Sequence, residues 1–324
     1  MGGDGAAIPT RKLSCSAGEV TINGMLGEGI KIHYRTASRR VFETFNGIFF
    51  ILLSFLCLFP VIHILAVSFS HSTPAAAGRV SVFPVDFTIA AYEYVLSDVR
   101  VLRAAWISLQ RTAMGTALNM TLICLAAYPL SKERSHFRFR TVYAWFFVIT
   151  ILFSGGLIPW FMTIRALGLI DSIWALILPG AVPVWSTIIM MNFIRGMPKE
   201  LFESAYIDGA GHFRTLLQIV LPLAKPALAT LFLFAAVGHW NAWFDGMVLM
   251  NRTQNWPLQT YLQNLLFVNQ ATALTREEAE MMMRISNQTV RAANIFVATV
   301  PILMVYPFLQ KHFVKGLVLG SVKG

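Results

Sequence analysis

ELFESAYIDGAGHFRTLLQIVLP, residues 200–222, is a polar, glycine-broken segment between two long apolar ones. Pro198 just before it suits the first helical position, and Glu200 suits the first turn, at the positive end of a helix dipole. Ala205 and Gly209 stand four apart, which puts two small residues on one helix face. Gly209 and Gly211 can end that helix and turn the chain. FRTLLQIVLP then heads back, and Pro222 and Pro226 mark the start of the next apolar segment. A short polar helix that leaves and re-approaches an apolar phase is the pattern to be explained.

The apolar phase is a bilayer. The chain has 324 residues, of which 56% are hydrophobic and 13% charged, with a mean hydropathy of +0.61. Soluble domains carry roughly 25% charged residues. Six apolar segments follow a polar start, at about 45–70, 105–130, 141–164, 173–194, 223–249 and 292–313. Each is long enough to cross a core of roughly 30 Å as a helix, and lipid offers no partner to a free backbone group, so helices they must be. The expected fold is an all-α membrane protein of six transmembrane helices. Residues 1–40 read as a basic tail, 41–315 as the membrane domain and 316–324 as a second tail.

Lys and Arg set the orientation. With the N-terminus cytoplasmic, seventeen basic residues fall inside and eight outside, Arg111 lying within the second span. That bias places both termini in the cytoplasm. The net charge of +10 is thereby a topology signal and calls for no nucleic acid. Two outer connections are long, about 71–104 and 250–291, and long loops on one face are commonly functional. FTIAAYEYVLSDVRVLRAAW in the first reads as short amphipathic helices, and TREEAEMMMRISNQTVRAAN in the second as a charged helix feeding the sixth span. Cys15, Cys57 and Cys124 have no metal-like spacing. No apolar stretch precedes Cys15, so a cleaved signal is not expected.

Read as Glu-Ser-Ala, three residues, Gly, nine residues, Ile, one residue, Leu-Pro, the opening segment resembles the EAA loop of ABC importer permeases. Glu203, Ser204, Ala205, Gly209, Ile219, Leu221 and Pro222 stand in register, and Asp208 and Ala210 fit the Asp-Gly-Ala form of sugar permeases. Ser204 departs from the pattern, which usually has Ala there. HWNAWFDGMVLM in the fifth span and the ending YPFLQKHFVKGLVLGSVKG are similar to the carbohydrate, maltose-type group, and within it to the LplC-like subgroup, some members of which import uronate oligomers such as alginate or pectin fragments.

The resemblance implies a type I importer permease whose coupling loop, 196–222, docks in a cleft of a cytoplasmic ATPase. Glu203 would face a basic group there or brace the loop, Ala205 and Gly209 would allow close approach, and Asp208 would stabilise the turn. It also implies the partners: a second homologous permease, two ATPase subunits that bind ATP and Mg, an extracytoplasmic solute-binding protein, and an oligosaccharide. The tail from Gly316 to Gly324 would reach between the ATPase subunits.

The chain itself has no phosphate-binding G-x-x-x-x-G-K-[ST] loop and no H-E-x-x-H motif. It is expected to be a transport subunit and no enzyme, without a cofactor of its own. Intramembrane carboxylates are scarce: Glu43 is at a span edge and Asp245 stands alone, which disfavours the alternative of an ATP-independent carrier or channel. His239, Trp240, Asn241, Trp243 and Asp245 form the best pathway cluster. Asn241 and Asp245 share a helix face, as do His239 and Trp243. Trp rings suit sugar faces, while packing between helices is the competing reading. Arg111 either snorkels outward or faces water, and in a cavity it would favour an anionic sugar. Gly155, Gly156 and Pro159, then Pro179, Gly180 and Pro183, then Pro301, mark kinks that either line a cavity or are ordinary membrane-helix punctuation.

Overall fold

A computed structural model describes residues 13–16, 19–23, 29–33, 37–267 and 287–320. The chain divides into two units, Met1–His63 and Ile64–Gly324. The first holds a small antiparallel sheet of β1 (Leu13–Ser16), β2 (Glu19–Asn23) and β3 (Gly29–His33), in that order. Cys15 pairs with Val20, and Thr21 with Lys31. This corrects the expectation of a plain tail over 1–40. EVTIN and GIKIH alternate apolar and polar residues, the strand period, which a segment average of polarity conceals. Helix α1 (Ala37–Ser68) follows, and its part from Arg40 is long and apolar enough to cross a membrane.

In the second unit α2 (Ser72–Ala76) and α3 (Ala90–Ser97) lie in the first long connection. Helix α4 (Val99–Ser131) begins six residues before the expected span, because Asp98 caps it: its Oδ1 accepts from Arg100 N at 2.8 Å. At 33 residues α4 is about 50 Å long. It and α1 are the two helices, among the described residues, that could each cross a bilayer unaided.

Three other spans are broken. α5 (Arg140–Leu152) and α6 (Leu157–Ala166) meet at 116° rather than forming one rod. Gly156 at the break has φ +82°, a conformation that only glycine adopts without strain. The fourth span is α7 (Ile173–Ile177), a 3-10 turn at Leu178–Gly180 and α8 (Val184–Arg195), with a bend of 46° where Pro183 precedes α8. The fifth follows the polar segment: α9 (Glu200–Ile207), α10 (His212–Thr215), a π-helical turn Leu216–Val220 and α11 (Leu221–Leu223) lead, through an 83° bend, into α12 (Lys225–Asn241). Ala242 is extended and separates α12 from α13 (Phe244–Leu249).

A 3-10 turn, Thr253–Asn255, and α14 (Leu258–Phe267) come next. The last helix, α15 (Asn287–Gly320), runs through Pro301 without interruption and past residue 315. Most of the charged stretch 275–294 and the end of the C-terminal tail lie outside the described residues. The six expected apolar segments are thus all helical.

α4 is the centre of the second unit and packs most extensively against α12 and α8. Toward its C-terminus, Ile123 and Ala127 join Met190, Ile194, Leu216, Val220 and Leu231 in one core. Toward its N-terminus, Val101 and Ala104 join Trp240, Leu258, Ala293 and Ala298 in another. Between them α4 carries Ser108, Arg111, Gly115 and Asn119, polar or small residues recurring every three to four positions and hence on neighbouring faces. Each meets a broken part of another span. Ser108 Oγ accepts from Leu258 N at 2.8 Å. Asn119 Nδ2 donates to the carbonyls of Gly180 and Ala181 at 2.9 and 2.8 Å, and its Oδ1 meets His239 Nε2 at 2.7 Å. Gly115 makes room for that imidazole: a Cβ there would lie 2.5 Å from Nε2.

Because His239 is held by Asn119, it cannot step aside cheaply. Gly115→Ala is therefore expected to destabilise the protein by about 1–3 kcal/mol, read as earlier thermal unfolding in detergent. An unchanged transition would mean that α4 and α12 are not packed this closely.

Candidate functional site

Two places carry function: the polar segment and a cavity near the far end of α12. In the polar segment Glu200 and Glu203 occupy the first turn of α9, where the helix dipole favours acids. The helix ends in a Schellman turn. Ala210 N donates to Ala205 O at 2.9 Å, Gly209 N to Tyr206 O at 3.1 Å, and Gly209 has φ +75°. A Cβ on Gly209 would touch nothing within 4 Å, so within this chain its backbone, not lack of space, requires glycine.

The loop has two faces. Glu203, Ser204, Asp208 and Gly209 are exposed, with Ile207 at 86% and Phe213 at 66% exposure. Ala205 is only 6% exposed, and Ala210 is half-buried. The expected strip of Ala205 with Gly209 is therefore split: Ala205 turns into its own protein while Gly209 stays outside. Two apolar side chains, Ile207 and Phe213, take its place beside Ser204. At the start of the loop, Lys199 Nζ lies 2.5 Å from Glu133 Oε1. Lys199 holds the Glu133 carboxyl below the usual range, and Glu133 raises the Lys199 ammonium.

The cavity, of about 910 Å³, lies between the break of the third span and the end of the fifth. Gly155, Gly156 and Trp160 line one side; Asn241, Trp243 and Asp245 line the other. Irregular backbone at membrane depth is tolerated where it lines such a cavity, and discontinuous helices commonly build solute sites. Two indoles supply apolar faces, and Asn241 and Asp245 supply hydrogen-bonding groups. Trp160 was not singled out from sequence. Its signal was the Gly-Gly-x-x-Pro-Trp spacing, which places an indole one residue after the proline of a broken helix.

The fifth-span cluster separates into three groups. Asn241, Trp243 and Asp245 reach the cavity. His239 faces α4, bonded to Asn119. Trp240 is buried against α15 and donates its indole N–H to Ala298 O at 2.9 Å. The expected face-sharing of Asn241 with Asp245, and of His239 with Trp243, does not hold, because the helix stops at Asn241.

Asp245 does not stand alone. Arg111 is 3% exposed and neither snorkels nor lines the cavity. Its Nη1 donates to Asp245 Oδ1 at 3.0 Å and to Ala242 O at 3.1 Å; its Nη2 contacts Asp245 Oδ2 and Leu176 O. A guanidinium fork suits this bidentate contact. It holds the extended residue Ala242 and the wall of the cavity against α4.

A family model described as "Binding-protein-dependent transport system inner membrane component" matches residues 24–319. The chain belongs to this family. It is similar to "Protein LplC" of Bacillus subtilis (strain 168), 39% identical over 90% of this chain and 98% of that one. It is likewise similar to "Polygalacturonan/rhamnogalacturonan transport system permease protein YtcP" of the same organism, 39% identical over 88% of this chain and 99% of the other. Among solved structures it resembles a chain of "a bacterial ABC transporter involved in the import of the acidic polysaccharide alginate", with a TM-score of 0.80, 32% identity, and coverage of 87% of this chain and 100% of that one. The ABC importer permease reading, the LplC-like resemblance and the transport-subunit role are those of the family. A self-contained carrier or channel does not fit a binding-protein-dependent system.

The ion pair makes an asymmetric prediction. Arg111→Met leaves a partly buried carboxylate and two carbonyls without their donor and is expected to cost about 3–5 kcal/mol, whereas Arg111→Met with Asp245→Asn costs less than the single change. Thermal unfolding of the two variants checks the order.

Proposed function

We propose that this chain is one of two homologous permeases in an ATP-driven importer of an oligosaccharide, with uronate oligomers as the substrate class. The single observation that carries the mechanism is the exposed turn of α9 and α10. A helix that places Ile207 and Phe213 in solvent around a glycine turn is built for a partner that comes close. That partner is the ATPase, two copies of which bind ATP and Mg and close beneath the permease pair. The basic bias of the connecting segments puts this loop and both termini in the cytoplasm. The far end then receives solute from an extracytoplasmic binding protein.

The cavity is this chain's half of the pathway. Trp160 and Trp243 stack on sugar rings and Asn241 bonds hydroxyls; the two permeases rock between inward-open and outward-open states, and ATPase closure biases the equilibrium. Support for an acidic sugar comes from the relatives, whose names speak of polygalacturonan, rhamnogalacturonan and alginate. It does not come from Arg111, whose charge Asp245 already neutralises.

Reconstitution with the second permease, the ATPase and the binding protein tests the reading. ATP-dependent uptake of labelled uronate oligomers, faster than that of neutral ones, is expected; uptake without ATP would overturn it. In the same vesicles Trp160→Ala or Trp243→Ala should raise the half-saturating concentration for transport by about tenfold, equivalent to about 1.4 kcal/mol. Gly209→Val strains the positive-φ turn and blocks the docking face, and uptake should fall by more than the Trp variants produce.

A further inference from the structure

The inner face of α9 ends on one cation. Lys132, the first residue after α4, is half-buried, and its Nζ sits 4.1 Å from the Phe202 ring centroid, 4.5 Å from that of Tyr128 and 5.4 Å from that of Tyr206. The same Nζ donates to Tyr206 Oη at 2.9 Å. Phe202 and Tyr206 are four apart on α9, so one ammonium engages both of its inward rings. Tyr128 belongs to α4 itself. Tyr128 Oη, Tyr206 Oη and His212 Nδ1 lie within 3.4–3.5 Å of one another, which draws the first residue of α10 into the same cluster. The C-terminal carbonyl of Leu130 is held by Arg140 Nε and Arg195 Nη2, each at 2.9 Å, so the end of α4 to which Lys132 is attached is fixed to α5 and α8.

A cation among aromatic rings gains more as water is excluded, and here the rings come from two elements that must move together if docking at α9 is to be felt elsewhere. The other end of the same helix grips the cavity wall through Arg111, 21 positions from Lys132 or roughly 32 Å along the axis. α4 is unbroken over that distance, whereas the direct path through the fifth span bends by 83° between α11 and α12.

We propose that Lys132 is a positioning residue for energy coupling: it clamps α9 to α4, and α4 carries displacement of the docked loop to Asp245 and Ala242 at the cavity. The proposal rests on the importer reading above. Its test uses proteoliposomes holding the complete transporter, with solute moved per ATP hydrolysed as the readout. Lys132→Met is expected to lower that ratio roughly tenfold, while Lys132→Arg, which keeps a cation over the rings, holds it within about threefold of the unaltered protein. Phe202→Leu, which removes the nearest ring, should lower it in the same direction, and it decides the matter if Lys132→Met does not assemble. A ratio unchanged in Lys132→Met, or in Phe202→Leu where the former cannot be made, overturns the proposal. So does a Lys132→Arg ratio as low as that of Lys132→Met. An unaltered transporter that moves no solute with ATP overturns the importer reading and this proposal together, whereas coupled transport by the unaltered protein alongside unimpaired variants overturns this proposal alone.

Discussion

A peptide group released from a helix inside a bilayer has no water to turn to, so the protein must supply its partner. That constraint organises the second unit. Its spans are broken at several points, and each break strands carbonyls and amides. α4 stays whole, and its side chains reach out to the breaks: Asn119 to Gly180 and Ala181, Arg111 to Leu176 and Ala242, Ser108 to Leu258. The break between α5 and α6 is different. Among the described residues its bonds are local ones, Phe153 N to Ile149 O and Gly156 N to Ser154 Oγ, and it borders the cavity. Irregular backbone is thus kept either against α4 or against the space where a polar solute passes.

The same economy governs charge. Arg111 is expensive at membrane depth, and Asp245 offsets it in a bidentate contact while the remaining donors bind carbonyls. The arrangement places the acid, not the arginine, on the cavity wall. A wall whose one carboxylate is already engaged reads sugars by ring faces and hydroxyls. Selection for acidic oligomers then falls to other parts of the assembly, and a permease of this kind can pass both ends of an oligomer without holding either by its charge.

The six apolar segments were legible because each run is long and lies between charged connections. The coupling loop was legible because its motif spacing is local: Glu203, Gly209 and Pro222 belong to one short segment. Glycine and proline spacing also announced the kinks at Gly155–Gly156 and Pro183. Tertiary choices were not legible. Nothing in HWNAWFDG distinguishes His239 and Trp240, which pack, from Asn241 and Trp243, which reach the cavity. The decision lies with Ala242, whose extended backbone ends the helical periodicity. Arg111 and Asp245, 134 positions apart, are joined only by the crossing of α4 with the fifth span. Pro301 misled, since α15 absorbs it, and the strands at 13–33 were hidden by reading that region for charge instead of alternation.

The π-helical turn at Leu216–Val220 has a consequence of another kind. A π turn holds one residue more than the α-helical turn it replaces, and each residue in an α-helix advances the phase by about 100°. Removing one residue there would let the turn relax into ordinary helix and rotate everything after it, swinging buried Leu216 and Val220 out of register with Ala224 and Leu231. The length of this segment is therefore constrained more tightly than its composition. Exchanges among apolar residues within it are tolerable, but a frame-preserving deletion of a single codon is not.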